Sequence, residues 1–391
     1  MFGQQIITLE FSYRKVEDQK SLLQCLEDLK DAKEIALDLE FDRDRFAYGF
    51  TLCLIQVSDG KLSWLIDPLS KLDLSPLYRF LEQEEPLKIM HSPGEDLNLL
   101  HQQGCFPVNI FDTERTARLL DFEAFSLGNL LLNCLEIQLD KSQQRTDWTR
   151  RPLKDQQWLY AARDVLFLPE LKRILLDMAE ERGVLEFVKE ENAAWNAYRV
   201  EEKPVGWFVN KDDERKLPPY FLHIYNEMMG LRDASARKLN KPGFQIAPRE
   251  VLMDVTFHPE LFEKWKELDG LHYSLRNDDS MEAYHNAWKK GKLEADQLKL
   301  SKRTNSGGAS PSEREAMALE RKRIAGVVDE KYRPVLEKIA EQYGKFTAAY
   351  ILNEKTMTEL ASGRLKLEFL PYIYRQQVII ETAKKIGISF S

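Results

Sequence analysis

Residues 34–41 read EIALDLEF, and their apolar and acidic side chains alternate. Successive side chains of a β-strand point to opposite faces, so Ile35 and Leu39 would lie on one face and Asp38 and Glu40 on the other. The strand rise would separate the two acids by about 7 Å along the backbone. The stretch therefore predicts a strand that carries two carboxylates on one face, within an apolar segment where a lone carboxylate would be costly.

The segments that follow have the pattern of further strands. TLCLIQVS (51–58) and KLSWLID (61–67) flank Asp59-Gly60, which is a hairpin signal, and LKIMHS (87–92) is typical of a short buried strand. Helical patterns alternate with these strands. The fold class that we predict for residues 1–195 is therefore α/β, with a mixed sheet flanked by helices.

Two more acids and a tyrosine fall on predicted helices. Residues 92–95, SPGE, have the form of a capping box with proline at the first helical position, which places Asp96 in the first turn of a helix. A second helical pattern stops or kinks at Pro169. Tyr160 and Asp164 are one turn apart within that pattern, so they would share a face.

Composition excludes several classes of protein. The 391 residues are 43% hydrophobic and 31% charged, as in a globular protein, and no apolar run approaches the ~20 residues needed to cross a bilayer. Residues 1–20 lack the pattern of a secretory signal. The net charge of −8 argues against bulk attraction to nucleic acid but leaves room for local basic sites. The cysteines, which have no zinc-site spacing and indicate buried thiols in a reducing cytoplasm, are Cys25, Cys53, Cys105 and Cys134.

Acids that converge from several elements suit a metal site. Hard divalent cations prefer carboxylate oxygens, and two ions about 3.5–4 Å apart can clamp the attacking and leaving oxygens of a phosphoryl displacement. Each acid also has an ordinary structural explanation. Asp38 and Glu40 could occupy a solvated strand face, and Asp164 could lie on a helix surface. Asp96 could be present because the helix dipole favours an acid in the first turn. Spacing alone leaves both interpretations open.

The sequences around these acids resemble a known family. DLEFDR (38–43), HSPGEDLNLL (91–100) and YAARDVLFL (160–168), in that order, are similar to the three exonuclease motifs of the DEDD superfamily. The tyrosine four residues before the last acid resembles its DEDDy branch. LIQVSDG, IDP, IFDTERTARLL, LDKSQQRTDW and RPL look like ribonuclease D in particular. The resemblance covers residues 20–185.

This resemblance implies an RNase H-like fold and hydrolysis from a 3′ end with two divalent metal ions, Mg²⁺ or Mn²⁺. Asp38 would bridge both ions, while Glu40 and Asp164 would complete the site on the nucleophile side. Asp96 would serve the other ion, directly or through water. Tyr160 would orient or help to deprotonate the attacking water, although its ordinary pKa of about 10 disfavours a role as sole general base.

Three residues near the motifs carry further predictions. Arg163 departs from the family pattern, which commonly has a small residue there; helical geometry turns it about 100° from Asp164, so we expect it to reach solvent or phosphate. His91 is a candidate for phosphate contact, with a structural role at the strand end as the alternative. Asp112, in IFDTE, matches a family position, and we predict that it supports the site from behind the ligands.

Residues 139–154, LDKSQQRTDWTRRPLK, mix basic side chains with one aromatic ring. This pattern suits a single-stranded backbone with a stacked base, and it makes Arg145 and Trp148 candidate substrate contacts. A solvated loop with Trp148 anchored in the core explains the pattern equally well.

The rest of the chain indicates two helical domains. LRDASARKLNKPGFQIAPREVLMDV, followed by HPELFEKWKELDG, resembles an HRDC domain, and AAYILNEKTMTELASG looks like a more divergent copy. With residues 301–312 as a linker, the predicted domains are a DEDDy exonuclease domain at 1–195, an HRDC domain at 213–295 and an HRDC-like domain at 313–391. HRDC-type domains imply nucleic-acid binding; packing against the catalytic domain is the alternative.

Together these features predict a ribonuclease D-like 3′-5′ exoribonuclease that releases nucleoside 5′-monophosphates in the cytoplasm. The expected partner is the 3′ end of RNA, with tRNA precursors implied by the family and no membrane or obligate protein partner expected. One alternative is the same chemistry on DNA 3′ ends. The other is a catalytically silent RNA-binding protein, which would have no physical need to keep uncompensated acids together.

Overall fold

The structure, a computed structural model, describes residues 12–200, 204, 206–303 and 311–390. In this part of the chain one sheet is built from β1 (Ser12–Val16), β2 (Glu34–Arg43), β3 (Phe50–Ser58), β4 (Leu62–Ile66), β5 (Leu87–Met90) and β6 (Ile110–Asp112). The strand order across the sheet is β1-β4-β3-β2-β5-β6.

The sheet is mixed, as predicted. β1 runs parallel to β4, β5 runs parallel to both β2 and β6, and β3 is antiparallel to β4. The β3-β4 pair is the predicted hairpin, in which Ser58 pairs with Ser63 across a turn where Gly60 has φ of 84°. A positive φ is readily adopted only by glycine and a few polar residues, which explains the glycine at this turn.

β2 has the predicted alternation. Ile35 and Leu39 are 0% and 4% exposed, whereas Asp38 and Glu40 on the other face are half-buried. Pairing with β5 ends at Ala36, so Asp38 and Glu40 lie beyond the last residue of β2 that is paired with β5.

Eight helices of the first 200 residues are α1 (Gln19–Leu29), α2 (Ser75–Leu81), α3 (Gly94–Gln102), α4 (Thr113–Arg118), α5 (Leu127–Leu135), α6 (Asp155–Leu166), α7 (Leu168–Glu181) and α8 (Leu185–Ala193). Pro169 lies in the first turn of α7, so the predicted break at this proline is confirmed. Short 3₁₀ turns occur at Pro68–Ser70 and Ala194–Ala197.

The predicted capping box at Ser92 is wrong. α3 begins at Gly94 with Pro93 in the cap position, and no side chain caps it. Ser92 instead has φ of 56°, and its backbone N–H donates to Asp112 Oδ1 over 2.9 Å. A long-range partner on β6 thus determines the conformation of this turn.

Helices of the later residues are α9 (Lys211–Lys216), α10 (Pro219–Leu239), α11 (Gly243–Ile246), α12 (Arg249–Phe257), α13 (Asp278–Gln297), α14 (Pro311–Val327), α15 (Arg333–Tyr343), α16 (Lys345–Ile351), α17 (Glu354–Ala361) and α18 (Ile373–Lys385). A π-helical turn at Val328–Tyr332 joins α14 to α15, and 3₁₀ turns occur at Pro259–Glu267, Tyr273–Leu275 and Leu367–Phe369. Most of the predicted linker at 301–312 lies outside the described residues.

The chain forms two compact units. Among the described residues, one contains 12–40, 52–200 and 315–390, and the other contains 41–51 and those between 204 and 314. In the first unit the C-terminal helices share an apolar core with the α/β part, since Leu171 and Leu175 of α7 belong to the same buried cluster as Val335, Ile339 and Ile379. The predicted division into three domains stays a prediction.

The second unit has its own core around α10 and α13. Fully or almost fully buried aromatic rings dominate it, including Tyr225, Trp265 and Tyr284. The Trp265 Nε1–H donates to the Leu275 carbonyl over 2.8 Å, which satisfies the buried indole.

Two predictions from composition can be compared with the described residues. All four cysteines are free thiols, three of them buried and Cys134 half-buried. None of the helices in the described ranges has the length and apolar character that a bilayer span requires.

Candidate active site

The acids meet where three parallel strands end. β2, β5 and β6 are mutually parallel, with Ala36 beside Ile89 and Met90 beside Asp112. Their carboxyl ends therefore lie at one edge of the sheet, the edge where open α/β sheets commonly bind ligands. Asp38 and Glu40 lie in the part of β2 that continues past its pairing with β5, and α3 with Asp96 follows the end of β5.

Three of the four predicted ligands converge closely. One carboxylate oxygen from each of Asp38, Glu40 and Asp164 lies within 4.8 Å of the other two. Asp164 is 7% exposed, and it comes from α6 on the face predicted for it. α6 is fixed to the sheet by the Ser63 hydroxyl, which donates to the Ala162 carbonyl over 3.0 Å.

Asp96 borders this group. It is 7% exposed in the first turn of α3. Burial raises its pKa far above the usual range, and the charge of Asp38 raises it further, while backbone N–H groups that include Leu39 favour the ionised form. The hydrogen bond from the backbone N–H of Leu39, the residue between Asp38 and Glu40, places Asp96 next to these two acids.

The four carboxylates cannot easily be ionised together. Burial raises the pKa of Asp38 to about 7, against the N–H of Leu39, which lowers it. For Glu40 burial is again the main cause of a raised pKa, followed by repulsion from Asp38, Asp164 and Asp96. Burial and Asp38 likewise raise the pKa of Asp164. All four acids can therefore be ionised together only if positive charge is added to the cluster.

A divalent cation would supply that charge. The donor atoms are carboxylate oxygens alone, the set that hard ions such as Mg²⁺ and Mn²⁺ prefer over nitrogen or sulfur ligands. The spacing of Asp38, Glu40 and Asp164 allows them to share one ion. The residues present thus fit the metal chemistry that the sequence predicts.

Tyr160 is held beside the acids by its hydroxyl group. The phenol and the Asp164 carboxylate form a hydrogen bond, which opposes the raised pKa of Asp164. Burial raises the pKa of Tyr160 strongly, and the charges of Asp164, Glu40 and Asp38 add to the shift. Tyr160 is therefore a protonated hydrogen-bond donor at neutral pH.

A cavity of about 250 Å³ opens beside Tyr160 and Asp164. Arg163 and Asp140 both line it, and hydrogen bonds from the Ser142 N–H and hydroxyl are the main cause of the lowered pKa of Asp140, with a smaller contribution from the charge of Arg163. The remaining wall consists of Leu139, Ser142, Gln156 and Leu159. Sequence analysis did not single out Gln156 or Leu159. The signal was present, because residues 156, 159, 160, 163 and 164 follow the i, i+3, i+4 spacing of one helix face.

His91 is anchored within the protein. Its Nδ1 lies 2.9 Å from Thr113 Oγ1, and that hydroxyl donates to the Met90 carbonyl over 3.2 Å. The Thr113 oxygen therefore accepts a hydrogen bond from Nδ1–H, which leaves Nε2 as the acceptor of a neutral ring. Burial lowers the pKa of His91 to about 4, although Glu114 opposes the shift. Contact between the neutral imidazole ring of His91 and a phosphate stays a prediction.

Asp112 supports the turn that leads to Asp96. It is 1% exposed, and its Oδ1 accepts from the N–H groups of Ser92, over 2.9 Å, and Glu114, over 2.8 Å. Burial raises its pKa to about 6, against these hydrogen bonds. This placement agrees with the supporting role that we predicted, which stays a prediction.

The prediction that Trp148 stacks on a base needs correction. Trp148 is 2% exposed and belongs to a buried cluster with Trp158 and Leu153, its ring 6.1 Å from that of Tyr160. Its ring is therefore part of the core, as the alternative interpretation held. The motif of mixed basic and aromatic residues cannot distinguish a ring that packs inward from one that faces solvent.

The basic residues of the same segment differ in whether an acidic side chain of the protein pairs with them or whether they are exposed candidates for substrate contact. Arg151 donates to both oxygens of Asp67 over 2.5 and 2.7 Å and to the Cys53 carbonyl over 2.6 Å, so it is a structural cation. Arg150 lies 3.0 Å from Asp147. Arg145 is exposed, and its contact with substrate stays a prediction.

Comparison with known proteins agrees with this geometry. Residues 13–180 match the sequence family described as 3′-5′ exonuclease. Ribonuclease D of Zymomonas mobilis is 34% identical over 250 residues, which cover 62% of this chain and 63% of that protein. The chain is therefore similar to the ribonucleases D over part of its length, and its residues 13–180 match a 3′-5′ exonuclease domain. Ribonuclease D of Pseudomonas paraeruginosa is 35% identical over 241 residues, covering 58% and 61% of the two chains. The chain thus spans less than two thirds of each of these relatives.

A solved structure extends the likeness in fold. Escherichia coli RNase D, described as an exoribonuclease involved in structured RNA processing, superposes with a TM-score of 0.68 at 22% identity. The match covers 96% of this chain and 99% of that one, so the C-terminal helices are included in the shared fold.

Proposed function

We propose that this protein is a ribonuclease D-type 3′-5′ exoribonuclease that removes nucleoside 5′-monophosphates from RNA. One observation carries the proposal: the oxygens of Asp38, Glu40 and Asp164 lie within 4.8 Å of one another, at the edge of the sheet and beside a cavity. The relation to the ribonucleases D supports RNA as the substrate.

The proposal includes two divalent metal ions, Mg²⁺ or Mn²⁺, as cofactors. Asp38, Glu40, Asp96 and Asp164 would hold them. When bound, such ions lower the pKa of an attacking water and offset charge on the phosphate. The raised pKa values of all four acids support this assignment, because a site built for cations leaves its acids under mutual repulsion without them.

The protein side chains would then orient the reaction. Tyr160, as a hydrogen-bond donor held by Asp164, would fix the direction of the attacking water rather than remove its proton. Attack on the terminal phosphorus would break its bond to the 3′ oxygen of the preceding nucleotide. The products would be a nucleoside 5′-monophosphate and an RNA shortened by one residue with a new 3′ hydroxyl.

The cavity beside Tyr160 would receive the terminal nucleotide. Leu159 would offer an apolar wall, and Arg163 would offer a cation for phosphate. Contacts of His91 and Arg145 with the RNA belong to the same proposal. The HRDC assignments at 213–295 and 313–391, tRNA precursors as substrates and a cytoplasmic location rest on the family resemblance.

The test uses matched 5′-labelled RNA and DNA oligonucleotides with Mg²⁺ or Mn²⁺. We expect a descending ladder on RNA that EDTA, a 3′ phosphate or Asp38→Asn abolishes. Asp155→Asn is the matched control, because that acid lies on α6 with a side chain that is 97% exposed. The control should digest RNA at the wild-type rate.

Two other outcomes would replace the proposal. A ladder on DNA alone would favour a deoxyribonuclease with the same chemistry. RNA that shifts in a gel but is never shortened, under any metal condition, would favour a silent RNA-binding protein.

A further inference from the structure

Glu191, near the end of α8, is a carboxylate buried by the C-terminal helices. It is 0% exposed. Its Oε1 accepts from the Tyr374 hydroxyl and from Arg375 Nη2, each over 2.6 Å, and its Oε2 accepts from the Tyr350 hydroxyl over 3.1 Å. A buried carboxylate is tolerable only with partners of this kind.

The same end of α8 also contacts the strand edge near the acids. The Glu191 carbonyl accepts from Arg115 Nη1 over 2.9 Å, and its carboxylate lies 3.9 Å from that nitrogen. The next residue, Asn192, accepts from the Asp112 backbone N–H over 2.5 Å. Arg115 Nε in turn lies 3.8 Å from Asp112 Oδ2. Glu191 and Asp112 therefore share Arg115 as a countercharge.

Asp112 also contacts the turn before α3. Its Oδ1 holds the N–H of Ser92, whose φ of 56° is one that residues other than glycine rarely adopt. Such a conformation persists when its surroundings enforce it. Asp96 follows Ser92 by four residues, in the first turn of α3. A continuous set of polar contacts thus links Tyr374 and Arg375 to the turn that aims Asp96.

We propose that Glu191 is a positioning residue for Asp96, so that the C-terminal helices set the geometry of the metal site. The inference rests on the proposed function of Asp96 as a metal ligand. Removing the charge of Glu191 would leave Arg115 with Asp112 as its close carboxylate. Attraction between Arg115 and Asp112 Oδ2 would then pull the carboxylate away from the Ser92 N–H that its Oδ1 accepts, and the turn would lose its anchor.

The experiment measures metal binding by the whole chain in the absence of RNA. Mn²⁺ is titrated into wild type and Glu191→Gln by calorimetry and by the loss of the free-ion electron paramagnetic resonance signal. Supporting residues behind metal ligands commonly change affinity by about 10- to 100-fold. We expect a loss of about 10-fold, with a lower kcat and a KM for RNA close to wild type.

Glu190→Gln is the matched control. Glu190 accepts from the backbone N–H groups of Ile373 and, over 3.1 Å, Tyr374. It therefore holds α18 as Glu191 does, but these contacts do not involve Arg115. We expect this variant to be less stable to urea with an unchanged Mn²⁺ affinity. Equal Mn²⁺ affinities for the two variants would overturn the proposal.

A double-mutant cycle locates the effect. In an Asp96→Asn background, Glu191→Gln should cause no further loss of Mn²⁺ affinity, because the residue to be positioned is gone; additive losses would contradict the inference. If Glu191→Gln does not fold, Tyr374→Phe replaces it in the same cycle. The Mn²⁺ titration remains informative even if wild type leaves RNA intact, so failure of the two proposals can be told apart.

Discussion

At the scale of single residues, the site combines groups that destabilise one another. Asp38, Glu40, Asp96 and Asp164 are all held where burial and mutual repulsion raise the pKa. Active sites commonly retain such strain because it is released when ligand binds. The same acids should therefore have opposite effects on stability and on activity.

Asp38→Asn should make the metal-free protein more stable while abolishing RNA cleavage. The amide is nearly isosteric and removes one buried charge, so we expect the free energy of unfolding at pH 8 to rise by about 2 kcal/mol. Urea denaturation in EDTA measures this change. Adding Mg²⁺ should stabilise wild type more than the variant; a variant less stable than wild type in EDTA would contradict the account.

The metal-free protein should also lose stability as pH rises from about 4 to about 7. The pKa of Asp38 is about 7 in the folded state, whereas an aspartate in an unfolded chain has a pKa of about 3.9. Between these values the folded state binds more protons than the unfolded state, so the free energy of unfolding falls with pH. Urea titrations in EDTA at pH 5 and pH 8 measure the slope, which should be shallower in Asp38→Asn. Equal slopes in the two proteins would argue against a raised pKa at this residue.

Residue patterns predicted part of this site and missed part for physical reasons. The period of two in β2 and the period of 3.6 in α6 are local, so the faces of Asp38, Glu40, Tyr160 and Asp164 could be predicted. Ser92 could not, because its backbone partner Asp112 lies 20 residues away in the chain. Local sequence also did not reveal that Trp148 faces the core.

At the scale of elements, a carboxylate from one part of the first unit caps a helix from another. Asp121 Oδ1 accepts from the N–H groups of Phe346 and Thr347, over 2.7 and 3.2 Å, at the start of α16. Gly344 precedes that helix with φ of 96°, and a Cβ on it would lie 2.0 Å from the Asp121 carboxylate. The contact therefore requires both an acceptor and a glycine.

Asp121→Ala should lower the free energy of unfolding by about 1–2 kcal/mol through loss of this cap. Asp121→Asn should be nearly neutral, because asparagine can accept the same bonds and tolerates the φ of 62° at this position. Gly344→Ala should cost more than either, since the methyl group would displace the carboxylate. Chemical denaturation of the three variants gives the order, and equal costs for Ala and Asn at residue 121 would contradict a capping role.

Element boundaries were predictable where the signal was local. The hairpin at Asp59-Gly60 and the break at Pro169 are local, and both occur as predicted. The cap of α16 was not predictable, because its acceptor lies more than 200 residues earlier in the chain.

At the scale of the whole molecule, the core of the first unit is assembled from distant parts of the chain. α7 contributes Leu171 and Leu175, and α15 and α18 contribute Val335 and Ile379 to the same buried cluster. Composition and periodicity predicted a mixed α/β sheet followed by helices. They could not show which apolar helix faces meet, because any two such faces are compatible until their shapes are known.

Ile379→Ala should therefore destabilise the α/β part of the first unit as well as α18. Ile379 is 0% exposed, and truncation of a buried isoleucine to alanine typically costs about 2–5 kcal/mol. We expect faster amide hydrogen exchange in α7 and a lower midpoint temperature of thermal unfolding. Ile380→Ala, at a position that is 36% exposed on the same helix, should change neither by much. Protection of α7 that is unchanged in Ile379→Ala would mean that the shared core is not cooperative.

The shared core has a consequence for synthesis on the ribosome. Residues up to 200 emerge first, yet the helices that complete their core follow only after residues 201–314 have been made. At ordinary elongation rates of about 5–20 residues per second, that interval is on the order of ten seconds. During this time the apolar surface that α7 buries against α15 and α18 stays uncovered by them, because those helices have not yet been translated. A nascent chain of this protein should therefore need protection by chaperones until α18 has been translated.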